Sequence, residues 1–295
     1  MEEKHFGPVW FIPGAKSGKY PHCHSVYIED GGVLIDPGSD RRRLKQLRTD
    51  PGVRVVWLSH WHEDHIAHLD LFEDLPLYVG KPDARPLSGA EAFMDAYGLD
   101  TPAYRRYWRS ALEKEFNFKP RKPAGFLRGG DRLALGGLVV EVIGTPGHTP
   151  GHLSYFFRGP EVLFMGDYDL SGFGPWYGDT ASSIEQTIES VAHLKAQPAR
   201  VWITGHETGL FEQDPAQRWD LYLEVIVKRE QKLLAFLDRP RTLEEIVAAS
   251  IIYGRPREPK AFFEFGERAL MKKHLDRLSR KGCIGQAGNR FYRCA

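Results

Sequence analysis

Short apolar runs that end in a potential metal ligand recur four times along the chain. Arg54–Ser59 (Arg-Val-Val-Trp-Leu-Ser) is β-branched and aromatic, as a buried strand is, and runs directly into His60. Val139–Ile143 leads to Gly144-Thr-Pro-Gly-His148, Val162–Met165 to Gly166-Asp167, and Val201–Thr204 to Gly205-His206. Glycine beside the last three ligands permits tight turns and close backbone approach. The pattern therefore predicts four strand ends meeting at one edge. After the first of them, residues 64–75 are expected to form a helix, with Asp64 and His65 at its entrance and Pro76 as its stop.

The periodicity changes after residue 214. Trp219, Tyr222, Leu223, Ile226, Leu233 and Leu237 follow helical spacing, so one amphipathic helix is predicted over 216–238. Thr242-Leu-Glu-Glu245 reads as a capping box that opens a short helix through Ala249. A further helix is predicted over 261–281, with Leu270, Leu275 and Leu278 inward and Gly282 as its stop. Cys283-Ile284 and Arg290–Arg293 flank Gly288-Asn289 as a terminal hairpin. Two units follow, a catalytic domain over 1–214 and a small, mainly helical domain over 215–295 that resembles a winged helix. The segment from Gly80 to Arg128 reads as a helical insertion near the site, a cap whose basic and aromatic residues suit gripping an anionic substrate but whose aromatic residues are expected to pack inward.

Composition narrows the class. A chain of 295 residues with 42% hydrophobic and 12% aromatic residues can bury a substantial core. No apolar run approaches the roughly 20 residues of a membrane span. The start Met1-Glu-Glu-Lys-His5 is charged rather than signal-like, and Cys23, Cys283 and Cys294 are few and widely spaced. A cytoplasmic protein with reduced thiols is expected. The net charge of +1 conceals an asymmetry: residues 215–295 carry 17 Lys/Arg against 10 Asp/Glu, which leaves the rest acidic. That division suits either a nucleic-acid partner for Lys272, Lys273, Arg277, Arg280, Lys281, Arg290 and Arg293, or attraction between two packed domains.

The candidate chemistry is concentrated in His60-Trp61-His62-Glu63-Asp64-His65, followed by His148, Asp167 and His206. Imidazole and carboxylate are the usual ligands of zinc and other borderline first-row metals. His-x-His-x-Asp-His followed by Gly-His, Gly-Asp and Gly-His resembles the ligand set of the metallo-β-lactamase fold superfamily, over roughly residues 8–210. Cys23–Ile28, Gly31-Gly32 and Val33–Gly38 look like the opening hairpin of these enzymes. The resemblance implies an α/β fold, a four-layer αββα sandwich with metals at one rim. It also implies that His60, His62 and His148 hold a first ion, that Asp64, His65 and His206 hold a second, and that Asp167 bridges them. Asp64 and Asp167 are then the side chains expected to act in catalysis, around a bridging hydroxide. Two divalent ions are expected, with zinc first among the candidates and iron, manganese and nickel open.

The tail resembles the lactamase-β-like-2 branch, some members of which cleave single-stranded RNA. Two functions compete. One is hydrolysis of a small thioester or ester, as in glyoxalase-II-like relatives; the other is a single-stranded RNA endoribonuclease guided by the basic tail. An iron-dependent sulfur oxygenase ranks below both, and a homo-oligomer is left open. The aromatic loop after Asp167 supplies the substrate candidates Asp169, Phe173, Trp176 and Tyr177, and favours a covered pocket and a small molecule. Asp169 fits either support of a metal-bound histidine or a turn cap. Glu63 and Glu207 are expected at the surface, and His152 is a weak candidate for the pocket.

Overall fold

Seven strands pair in chain order to build a first sheet: β1 (Lys4–Phe6), β2 (Val9–Ile12), β3 (Ser25–Ile28), β4 (Val33–Ile35), β5 (Val55–Trp57), β6 (Leu77–Gly80) and β7 (Gly125–Leu127). The computed structural model describes residues 1–294. Strands β1 to β4 are antiparallel, and β4 to β7 run parallel, with Ile35 opposite Trp57. A second sheet contains β8 (Arg132–Leu135), β9 (Leu138–Gly144), β10 (Leu153–Phe157), β11 (Val162–Phe164), β12 (Val201–Ile203) and β13 (Leu210–Phe211), in the reverse spatial order.

The near-continuous apolar runs of these strands follow from burial on both faces. Val26, Ile28, Val33 and Ile35 meet Val140 and Tyr155 between the sheets. The intervening Tyr27 and Leu34 face the other way, toward helices α1 (Arg41–Leu47), α2 (Ala90–Tyr97) and α3 (Pro102–Lys114). On the outer face of the second sheet, Phe156, Leu163 and Trp202 pack against α4 (Ile184–Lys195) and α5 (Ala216–Phe236). The result is helix, sheet, sheet, helix, the four layers expected. The insertion holds α2 and α3, whose Tyr97, Tyr104 and Trp108 are buried. Its arginines pair nearby instead, Arg105 and Arg109 with Glu91.

The helix expected over 64–75 does not form. Residues 63–68 are turns, and a single tight 3-10 turn spans Leu69–Phe72. The backbone is diverted by tertiary contacts: the His68 amide donates to the Pro37 carbonyl at 2.9 Å and the Cys23 thiol to the Asp64 carbonyl. Those bonds tie the ligand run to the loop after β4 and to the segment before β3, and its remaining amides close only short turns.

After α5 come β14 (Arg241–Thr242), α6 (Leu243–Ala248), α7 (Lys260–Arg280) and the hairpin β15 (Ile284–Ala287) with β16 (Arg290–Arg293). The capping box at Thr242 and Glu245 is formed on both sides. Leu233 of α5, Ile246 of α6 and Leu275 of α7 share a small core. Phe265 and Ala269 of α7 instead join the core beneath α2 and α3. Among the described residues, no helix is long and apolar enough to cross a membrane.

The basic residues of α7 have partners inside the chain. Arg277 bonds Glu185 of α4 at 2.9 Å and Glu230 of α5 at 2.5 Å. Lys273 donates to the Thr180 and Ser182 carbonyls, and Lys272 lies 3.3 Å from Asp100. Part of the tail's basic charge is thus engaged in docking α7 against the rest of the chain. Burial works against the Glu230 carboxylate, but the His274 ring 3.6 Å away and the bond from Arg277 hold it down at about 2. A carboxyl depressed on folding stabilises above its ordinary value of 4.5, and that contribution is lost as the pH falls toward 2. Glu230→Gln is therefore expected to cost about 2 kcal/mol at pH 7, in urea melts of both chains. The gap should close between pH 4.5 and 2, and a gap independent of pH would contradict this account.

Candidate metal centre

Each ligand candidate leaves a strand end at the same rim of the sandwich. His60 and His62 follow β5, His148 follows β9, Asp167 follows β11 and His206 follows β12. Their donor atoms converge in two groups, His60, His62, His148 and Asp167 in one, and Asp64, His65 and His206 in the other. Within each group the atoms lie within 4.8 Å of one another. The structure therefore brings together all seven residues that the motif singled out.

The inward nitrogens face one another. His148 Nε2 is 3.2 Å from His60 Nε2 and 2.9 Å from His62 Nδ1, and His65 Nε2 is 3.3 Å from His206 Nε2. The outward nitrogens are all taken. His148 Nδ1 donates to the Trp176 carbonyl at 3.1 Å, and His206 Nδ1 to the Gly18 carbonyl at 2.7 Å. His62 Nε2 faces Asp179 at 2.8 Å, and His65 Nδ1 faces Asp36 at 2.9 Å. Ser59 donates its hydroxyl to Asp36, which leaves its oxygen to accept from His60 Nδ1 at 2.9 Å. Fixing the proton on the outer nitrogen turns the inner lone pair toward a cation.

Asp167 lies between the groups. Its Oδ1 is 2.8 Å from His65 Nε2 and 3.3 Å from His206 Nε2, while Oδ2 is 3.3 Å from His148 Nε2. Oδ1 is buried and accepts no hydrogen bond, which suits an atom whose partner is an ion. A Cβ on Gly205 would stand 2.7 Å from that oxygen and 2.9 Å from the His65 ring, so only glycine leaves the space. The donor set and the orphaned oxygen fit divalent cations.

The charges are complementary. Burial alone would raise the Asp167 carboxyl, but the surrounding imidazoles hold it well below the usual range. Burial and the neighbouring rings push His60 down, and burial takes His148 to about 4, so both are neutral. His62 goes the other way: against burial, Asp179 lifts it to about 9.

A cavity of about 390 Å³ opens above the cluster. Asp169, Phe173 and Trp176 line it. Asp169 accepts from the Ser171 amide at 2.9 Å, the turn-capping alternative. Tyr177 lies outside the lining, fully buried, with its hydroxyl between His274 and Arg229. Glu207 is exposed as expected, but Glu63 is 1% exposed and accepts from Tyr20 at 2.7 Å and Tyr97 at 2.6 Å. Two tyrosine hydroxyls supplied from distant segments make that burial tolerable. His152 bonds Thr145 and the Asp167 amide, a structural role behind the ligands. Sequence reasoning missed Asp36 and Asp179 as orienting residues. Asp36 ends an apolar run just as the ligands do, so its setting held a usable signal; Asp179 has none.

The chain is similar to several known proteins. A probable metallo-hydrolase of Bacillus subtilis, YqgX, is 28% identical over 180 residues, which are 59% of this chain and 77% of that protein. A hydroxyacylglutathione hydrolase of Aeromonas hydrophila is 28% identical over 172 residues, 56% of this chain and only 54% of its own length. The crystal structure of a metallo-beta-lactamase family protein from Thermus thermophilus aligns over 97% of this chain and 99% of its own, with a TM-score of 0.74 at 24% identity, and shares the fold. Residues 20–206 match the metallo-beta-lactamase superfamily. The chain belongs to that superfamily and is a metallo-hydrolase with a His/Asp cluster for divalent metal ions.

Proposed function

We propose that this chain hydrolyses a small ester or thioester with the help of two divalent cations, zinc first among them. His60, His62 and His148 would hold one ion, and Asp64, His65 and His206 the other. The observation that carries this reading is Asp167, whose two carboxylate oxygens face different histidine groups. Such a pair of ions, when bound, supplies an activated water near neutral pH and polarises the scissile carbonyl. The water oxygen goes to the acyl carbon, the carbon–sulfur or carbon–oxygen bond breaks, and the remaining proton ends on the departing thiol or alcohol.

The chain's own residues hold the centre in one geometry. Asp36 and Asp179 keep His65 and His62 in one tautomer and one orientation. Asp83, after β6, accepts from Thr149 at 2.6 Å and from the Gly151 amide at 2.7 Å, which fixes the loop that carries His148. The name of the hydroxyacylglutathione hydrolase relative supports thioester chemistry. The intramolecular pairing of Lys272, Lys273 and Arg277 favours the small-molecule reading over RNA.

Asp167→Ala is expected to reduce bound metal from two ions per chain toward one or none, measured by elemental analysis of the purified protein, and to abolish thioester turnover. Full occupancy of both sites in that variant would sink the bridging role. Chelation should stop turnover and added metal restore it.

Asp179→Ala should weaken metal binding by about 10–100-fold in competition with a chromogenic chelator, with the fold retained by circular dichroism. An unchanged affinity would reduce Asp179 to a packing residue.

A further inference from the structure

Much of the wall facing the His/Asp cluster comes from the tail, beyond the family match over residues 20–206. Tyr253 lies in the loop before α7, and Phe262, Phe263 and Phe265 lie in the first two turns of that helix. Tyr97 and Trp108 of the insertion complete the wall. These rings interlock across the site: Phe262 stacks on Tyr20 at 5.2 Å and tilts over Trp108 at 5.8 Å, and Phe265 meets Tyr97 edge-on at 5.8 Å. On the other side of the mouth, Phe173 stacks on Tyr253 at 5.8 Å. Besides the histidines, Arg257 is the sole cation among the lining residues, and it is exposed beside Tyr253 and Phe263. Glu63, Asp169 and Glu207 add carboxyl groups to the same lining.

This distribution selects among thioesters. A glutathione thioester brings two carboxylates and an ammonium, and the cavity offers its carboxylates one exposed guanidinium amid acidic neighbours. A hydrocarbon chain or aryl group meets aromatic faces instead, which reward apolar area. Resting on the ester or thioester hydrolysis proposed above, we infer that the substrate carries an apolar acyl group, medium-chain or aryl, seated against Trp108, Phe262 and Phe265. The tail is thereby a specificity element. The bond broken is the same acyl carbon–sulfur bond: the OH of water joins the acyl carbon to give the carboxylic acid, and its other proton goes to the departing thiol.

The test uses the full chain loaded with zinc and a series of thioesters of one small thiol, N-acetylcysteamine, with acetyl, butyryl, hexanoyl and phenylacetyl groups. A hydroxyacyl glutathione thioester and single-stranded RNA complete the panel. Burial of each added methylene predicts a rise in kcat/KM of about fourfold. Phe262→Ala should flatten that slope through KM, and Phe262→Leu should restore part of it. A second readout needs no metal: quenching of tryptophan fluorescence in the metal-free chain by the non-hydrolysable thioether analogues, with Kd falling about fourfold per methylene. Thioester turnover with no dependence on acyl length, or fastest on the glutathione thioester, overturns the acyl assignment and leaves the hydrolase reading standing. Cleavage of RNA with no ester or thioester turnover removes both.

Discussion

Five imidazoles and two carboxylates share one buried rim, with ring nitrogens as close as 2.9–3.3 Å. Inward lone pairs at such distances repel one another unless protons or cations lie between them. The fold holds them together by engaging every outer nitrogen: two with backbone carbonyls, two with buried carboxylates and one with a serine hydroxyl that is itself bonded to Asp36. Metal binding can then draw on orientation already present in the chain, and must chiefly displace protons from the inner nitrogens. Asp36 shows the backbone cost of this arrangement. It adopts a left-handed conformation, φ 53°, which aspartate tolerates better than most residues do, while its carboxylate serves both Ser59 and His65.

The catalytic rim and the tail form one structure. Helix α7 shares a core with α2 and α3 at its beginning and with α5 and α6 further on. Two of its basic side chains, Lys272 and Arg277, reach carboxylates of the first part of the chain, Asp100 and Glu185. A sequence that divides neatly by charge and periodicity has thus produced a composite pocket, in which the first part supplies the His/Asp cluster and the second supplies much of the opposing wall.

Legibility in the sequence followed how local the cause was. The strands ending at His60, His148, Asp167 and His206 were readable because each apolar run and its turn lie within a few residues. The capping box at Thr242 was readable for the same reason. The stretch 64–75 has helix-like spacing, yet the His68 amide bonds Pro37 in the β4 loop and its other amides close only short local turns, and no local pattern encodes that. Glu63 looked like a surface residue because its partners, Tyr20 and Tyr97, lie 43 and 34 residues away. Tyr177 belongs to the aromatic loop by sequence, but its hydroxyl turns inward to His274 and Arg229. The covering of the site by Phe262 and Phe265 depends on α7 folding back across the molecule, which only the tertiary structure displays.

Arg229 of α5 is 4% exposed and donates to the Phe173 carbonyl at 2.7 Å, the Pro175 carbonyl at 3.0 Å and the Tyr177 hydroxyl at 2.8 Å. The loop it grips runs from Asp167 to Asp179 and also carries the Trp176 carbonyl that orients His148. One guanidinium thus places the docking of the tail and the occupancy of the metal centre on the same thermodynamic cycle. Whatever free energy the docked helix contributes to holding that loop in its ion-ready shape, the ions return to the helix as resistance to undocking.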